Sequence, residues 1–143
     1  MGIVTAASGA SLWRGYEYYK AKKVKSFKKL SDDEYEGLVS GSLKEPYIVK
    51  INVARVRQSR CNCPHADGTR IICKHMVALF FTIFPTEADK YIKEVEQYER
   101  EEEKRWEEYC KSVEKYVKSL SKEELRQQLI NYIIAEEENR RYW

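Results

Sequence analysis

The sequence predicts an α+β chain: a small antiparallel sheet with flanking helices, followed by a helical C-terminal extension. Three observations carry that prediction. Short alternating apolar stretches lie between residues 35 and 60, two cysteine-containing pairs follow at once, and beyond Pro85 the apolar residues recur three and four apart with no glycine or proline among them.

Ser11 is expected to cap a first helix running to about Lys23, with Leu12, Tyr16 and Tyr19 at helical spacing and Gly15 as a weakening residue inside it. Val24–Leu30 alternates imperfectly and reads as a strand, and Ser31-Asp32-Asp33 as a turn. Tyr35–Ser40 and Tyr47–Val53 read as strands joined by a Gly41–Pro46 hairpin loop. Tyr47, Val49, Ile51 and Val53 fall on one face, the expected core face. Val56–Cys61 continues as an extended segment, which places Arg55 and Arg57 on a common strand face. Met76–Phe84 is apolar enough for a buried helix, and Pro85 ends it.

Past Pro85, Thr86 is a candidate N-cap with Glu87 and Asp89 in the first turn. Ala88, Tyr91, Val95 and Tyr98 form one apolar block, and Trp106, Tyr109, Val113, Tyr116 and Leu120 a second. Residues 99–105 between them are charged, so residues 86–120 fit one helix or two. Glu101–Arg105 and Glu107–Lys111 are spaced as i,i+4 ion pairs. Ser121-Lys122-Glu123-Glu124 is a capping box opening a last helix with Leu125, Leu129, Tyr132 and Ile133 on one side. The expected organisation is therefore a tail (1–10), a folded part (11–85) and a helical extension (86–143). The apolar stripe of the extension either folds back on the chain or meets a partner.

Cys61-Asn62-Cys63 and Cys73-Lys74-His75 are the chemically informative residues. Positions i and i+2 point the same way on extended chain, so Cys61 and Cys63 can face one ion, and Pro64 stops the strand there. On a helix the same spacing turns through about 200°. Cys73 must therefore precede a helix whose first turn carries His75. Thiolate and imidazole are zinc's structural ligands, and four of them complete its tetrahedron without an open position. One structural Zn²⁺ per chain is expected on Cys61, Cys63, Cys73 and His75. His65 is the one competing imidazole, expected as a loop residue, and Cys110 is expected as a small hydrophobe beside the helical stripe.

These residues resemble the SWIM zinc finger. The likeness rests on Cys61-x-Cys63-Pro64, the short loop with Asp67-Gly68, and Cys73-Lys74-His75-Met76-Val77-Ala78 leading into an apolar helix. It extends over about residues 11–85. The resemblance implies a small antiparallel sheet, a zinc knuckle and one helix. It also implies binding of DNA, or of protein partners such as a helicase, recombinase or remodelling ATPase.

Charge divides the chain. Residues 1–84 hold 14 Lys/Arg against 7 Asp/Glu, and residues 85–143 hold 12 against 16, within an overall +3. Two basic groups stand in the first part: Lys20, Lys22, Lys23, Lys25, Lys28 and Lys29, and, around the ligands, Arg55, Arg57, Arg60, Arg70 and Lys74. The second is the better nucleic-acid candidate, because arginines neutralise phosphate and a helix start attracts it. DNA is the expected nucleic acid in preference to RNA, and the C-terminal helices the expected site for a protein partner. There is no Gly-rich phosphate loop and no Ser/His/Asp pattern, and both histidines lie in the zinc segment, so no enzyme, small-molecule substrate or membrane partner is expected. Reduced thiols and a first segment unlike a secretory signal lead to an expected cytoplasmic location, or a nuclear one in a eukaryote.

Overall fold

The computed structural model describes residues 2–143. Its elements run in the order α1 (Gly2–Ala6), α2 (Gly9–Lys20), β1 (Val24–Lys29), β2 (Glu34–Val39), β3 (Tyr47–Asn52), β4 (Arg60–Cys61), α3 (Lys74–Ile83), α4 (Pro85–Ser119) and α5 (Lys122–Arg141). This is the α+β architecture read from the sequence, with helices following the sheet. The chain divides into two compact units, residues 1–93 and 94–143, with the boundary inside α4.

In the first unit the strands form an antiparallel meander in sequence order, β1-β2-β3-β4. Alternation decides the faces. Tyr47, Val49 and Ile51 of β3 are buried, as is Val39 of β2, while Ile48 stays exposed. α3 packs on this sheet and α2 packs on α3. That makes α3 the middle layer, and its apolar residues surround it on all sides: His75 through Phe81 are all buried. Tyr16, Tyr19 and Tyr91 close the core edge-on or stacked against Phe81.

Several local expectations are corrected. The first long helix begins at Gly9, two residues earlier than Ser11, because Ser8 is the cap: its hydroxyl accepts from the Ser11 backbone N–H at 3.1 Å. It ends at Lys20, where the chain turns through Lys22 at φ 55° into β1. Gly15 has a packing role: a Cβ there would collide with the Val77 side chain and lie 3.0 Å from the Lys74 carbonyl, so the glycine lets α2 approach α3. Residues 2–6, where no element was expected, form α1, and its Ile3 is fully buried in the core.

Residues 53–59 are not a strand. Asn52 ends β3 by folding its side-chain oxygen onto the backbone N–H groups of Ala54 (3.0 Å) and Arg55 (2.7 Å), and a single 3-10 turn, Val56–Gln58, follows. Pro85 does not merely end α3 but starts α4 at the first helical position, where its missing N–H costs nothing. Thr86 is therefore inside the helix instead of capping it.

In the second unit, residues 94–119 continue as part of one helix and not two, carried through the charged stretch without a break. The expected Glu101–Arg105 and Glu107–Lys111 pairs are replaced by Glu102–Arg105 and Glu114–Lys118 ion pairs. The Ser121 capping box forms as expected: Glu124 N–H donates to the Ser121 hydroxyl at 3.2 Å, and Ser121 N–H donates to the Glu124 carboxylate at 2.8 Å. No residue of α5 is buried, and in α4 only Ala88 is, so the helices of this unit do not form a packed hairpin. No helix among the described residues is long and apolar enough to cross a membrane.

Candidate metal centre

The ligand positions follow from how each element ends. β4 carries Cys61, which pairs with Val49 at the short edge of the sheet. Asn62 points away and anchors the knuckle by accepting from the Ile48 backbone N–H through its side-chain oxygen at 2.9 Å. Cys63 then opens a turn in which its carbonyl accepts from the N–H groups of Ala66 (3.2 Å) and Asp67 (2.9 Å). Gly68, at φ +72°, takes the left-handed conformation that lets the loop reverse. Cys73 sits at the N-cap of α3 and His75 in its first turn, the placement the i,i+2 spacing requires.

The four donor atoms of Cys61, Cys63, Cys73 and His75 all lie within 4.8 Å of one another, and all four residues are buried. His75 Nδ1 is 3.8 Å from both Cys61 Sγ and Cys73 Sγ. Ligands held about 2.3 Å from a tetrahedral centre are separated by roughly 3.8 Å along each edge. The spacing, the burial and the sulfur-rich donor set therefore fit one structural zinc. Four cysteines are free of disulfides: three belong to this cluster, and Cys110 is exposed, not the buried hydrophobe expected. His65 is exposed and outside the group of four.

Electrostatics within the cluster favour a cation. The Cys61 thiol donates to Cys73, and His75 and the Met76 backbone N–H assist, so Cys73 is pulled down to about 4 despite its burial. The same bond to Cys73, together with burial, pushes Cys61 far up, and burial chiefly raises Cys63. Three thiolates cannot crowd a buried site without a compensating positive charge, so metal binding there expels protons. Tyr47 and Tyr18 enclose His75 at ring-centroid distances of 4.6 and 5.5 Å. Nε2 of His75 is buried with no hydrogen-bond partner among the described residues, facing the space left by Gly41, whose Cβ would lie 3.3 Å from it. The imidazole therefore presents Nδ1 to the sulfurs.

The basic residues singled out in the sequence separate into two places. Arg55, Arg57 and Arg70 line one open groove of about 550 Å³ with Ala6, Val56, Gln58 and Ile72. Lys74 lies elsewhere, beside a cavity of about 340 Å³ that also involves Arg14, Ser8, Ser11 and His65 and borders the cluster. Its ammonium stands 4.9 Å from the centroid of the Tyr18 ring. Arg60 is turned onto the backbone, donating to the carbonyls of Arg57 and Ser59 at 2.8 Å each. Three positions that matter here escaped the sequence reading. Arg14 shares the Lys74 cavity. Asn52 shapes the loop that carries Arg55 and Arg57. Ser59, buried, accepts from the Asn52 N–H at 3.1 Å and pins that loop's far end. Asn52 carried a signal, since Asn next to a strand end is a common turn former; Ser59 and Arg14 carried none.

A family model described as SWIM zinc finger matches residues 43–84. The match takes in β3, β4, the ligand loop and α3, which is narrower than the 11–85 span of the resemblance seen in the sequence. No curated protein and no solved structure matches the chain.

Proposed function

We propose that the zinc-stapled first unit binds nucleic acid, DNA foremost, as an accessory module, and that Arg55, Arg57 and Arg70 make the contact. The observation that carries this reading is their convergence. Arg55 and Arg57 come from the loop after β3 and Arg70 from the ligand loop, yet they line one groove together with the apolar Ala6, Val56 and Ile72. Guanidinium groups beside apolar side chains suit a phosphate and the base or sugar attached to it. Lys74 and Arg14 form a second basic station. Arg60 contributes by bracing the loop and not through its full set of donors.

The zinc in this reading is structural, and no reaction is assigned: a four-donor set leaves the ion no position for substrate. Titration of the zinc-loaded chain into labelled single- and double-stranded DNA and RNA at two salt concentrations tests the proposal. Affinity should fall steeply with salt, and Arg55→Ala with Arg57→Ala should flatten that slope by roughly two, one unit for each lost phosphate contact. Absence of binding at low salt, with one zinc per chain verified, sinks it.

A second reading is favoured by a different observation. α5 leaves Leu129, Tyr132 and Ile133 exposed. A protein-interaction adaptor serving a helicase, recombinase or remodelling ATPase would use such a face. Pull-down with the intact chain and with a Leu129→Glu/Ile133→Glu variant distinguishes it: the adaptor reading requires a partner that the variant loses.

A further inference from the structure

One polar side chain near the metal centre is left over. Ser8 caps α2, so the hydroxyl of Ser11, the residue the sequence offered as the cap, has no hydrogen-bond partner among the described residues, although Ser11 is only 8 % exposed. Ser11 lines the cavity of about 340 Å³ beside the cluster. The starts of two helices meet there: Ser8, Ala10 and Ser11 belong to the start of α2, and Cys73, Lys74 and His75 to that of α3. The N–H groups of Ala10, Lys74 and His75 are first-turn donors with no acceptor inside their own helices. Arg14 and Lys74 add two cations, and among the described residues no carboxylate lines the space or pairs with either of them. The metal centre does not cancel them, because zinc with three thiolates carries a net charge of only about −1. The cavity keeps positive charge and unused donors from two helices, a demand that an oxyanion meets.

Position selects the anion. The arginine groove is lined by Ala6 and Ile72, this cavity by Ser8 and Cys73. Ile72 and Cys73 are consecutive, with Cα atoms about 3.8 Å apart, and two steps of chain separate Ala6 from Ser8 by at most about 7 Å. The two spaces therefore adjoin along both segments that border them. Donors arriving from two helix starts and two side chains suit the tetrahedral oxygens of a phosphate better than a flat carboxylate. We propose that this cavity is a phosphate-binding site, filled by a backbone phosphate of the strand whose neighbouring nucleotide lies in the arginine groove. The Ser11 hydroxyl and the N–H groups of Ala10, Lys74 and His75 hold its oxygens, and Arg14 and Lys74 meet its charge. The phosphate site stands on the cavity itself, while its assignment to a strand rests on the nucleic-acid reading above. A phosphate here and a base in the adjoining groove require bases free to turn outward, so the preferred ligand is single-stranded.

The test follows amide resonances of the zinc-loaded full chain by nuclear magnetic resonance. Inorganic phosphate, titrated against chloride at constant ionic strength, should shift the amides of Ala10, Lys74 and His75 saturably. Arg14→Gln should weaken that binding about tenfold and Ser11→Ala about threefold, with zinc content unchanged in both. A short single-stranded oligothymidylate should then displace the phosphate, seen as recovery of the free phosphorus resonance, and its duplex with oligoadenylate should bind more weakly. Amides that phosphate leaves unmoved, or variants that bind it like the parent, overturn the site. Phosphate that stays bound beside the oligonucleotide overturns the assignment to a strand and makes free phosphate the ligand. A duplex bound as tightly as the single strand overturns the single-strand preference. Because the first titration contains no nucleic acid, the two readings fail separately. An oligonucleotide held through Arg55 and Arg57 with these amides still removes the phosphate site alone, whereas phosphate bound here with no oligonucleotide bound at low salt removes the nucleic-acid reading and, with it, the strand.

Discussion

At the residue scale, Cys73 has more roles than its three partners. It is the N-cap of α3, the ionised thiol of the cluster and a buried core residue in one position. Cys73→Ser should therefore remove zinc and unfold the first unit together, seen as loss of bound metal and of the near-ultraviolet circular dichroism of its tyrosines. Cys110→Ser should change neither. Because protons compete with zinc for the raised thiols of Cys61 and Cys63, zinc affinity should fall as pH drops, with protons released on binding at neutral pH; titration calorimetry in buffers of different ionisation enthalpy counts them. Gly15→Ala should destabilise the unit by about 1–3 kcal/mol, since the new methyl enters space held by Val77. These residues were not equally legible. Ligand spacing is a local constraint that zinc's tetrahedron imposes on any fold, so the cluster could be read from the sequence. The value of Gly15 depends on which helix passes within reach, and its contact, Val77, lies far along the chain.

At the element scale, the boundaries that sequence reasoning missed are those decided by side chains bonding to the backbone. Ser8 and Ser11 are both chemically able to cap, and only the geometry of the bond from Ser11 N–H to the Ser8 hydroxyl chooses between them. Residues 53–59 have strand-like composition, but two amides captured by Asn52 divert the chain into a turn. Asn52→Leu should free those amides and loosen the arginine loop. The expected result is weaker nucleic-acid binding with zinc content unchanged, and faster amide hydrogen exchange at Ala54 and Arg55. Ser121→Ala removes the cap of α5 and should cost about 0.5–2 kcal/mol of helix stability, measurable as reduced far-ultraviolet helicity. The continuity of α4 through residues 99–105 was open in the sequence because charged residues support a solvated helix as well as a loop.

At the scale of the whole molecule, the two units differ in what holds them. The first has a buried core and a set of metal ligands; among the described residues the second buries no side chain. Calorimetry on the dilute chain should show one cooperative, zinc-dependent transition from the first unit, accompanied by a broad loss of helix from the second without a sharp midpoint. A chelator should shift the sharp transition and leave the broad one in place. The α+β class was legible because each unit has its own periodicity, alternation in the strands and a three-and-four spacing in the helices. The gathering of Arg55, Arg57 and Arg70 was not, because it depends on two loops meeting in space.

The sharing of α3 between the centre and the core has a consequence for turnover. The helix whose first turn and cap supply two of the four donors also supplies Phe80 and Phe81, the largest fully buried side chains of the unit. Opening the site far enough to surrender the ion displaces the same helix that closes the interior. Each escape of metal therefore exposes chain that proteases cut, and the steady amount of the protein in a cell becomes a record of how much zinc that cell has to spare.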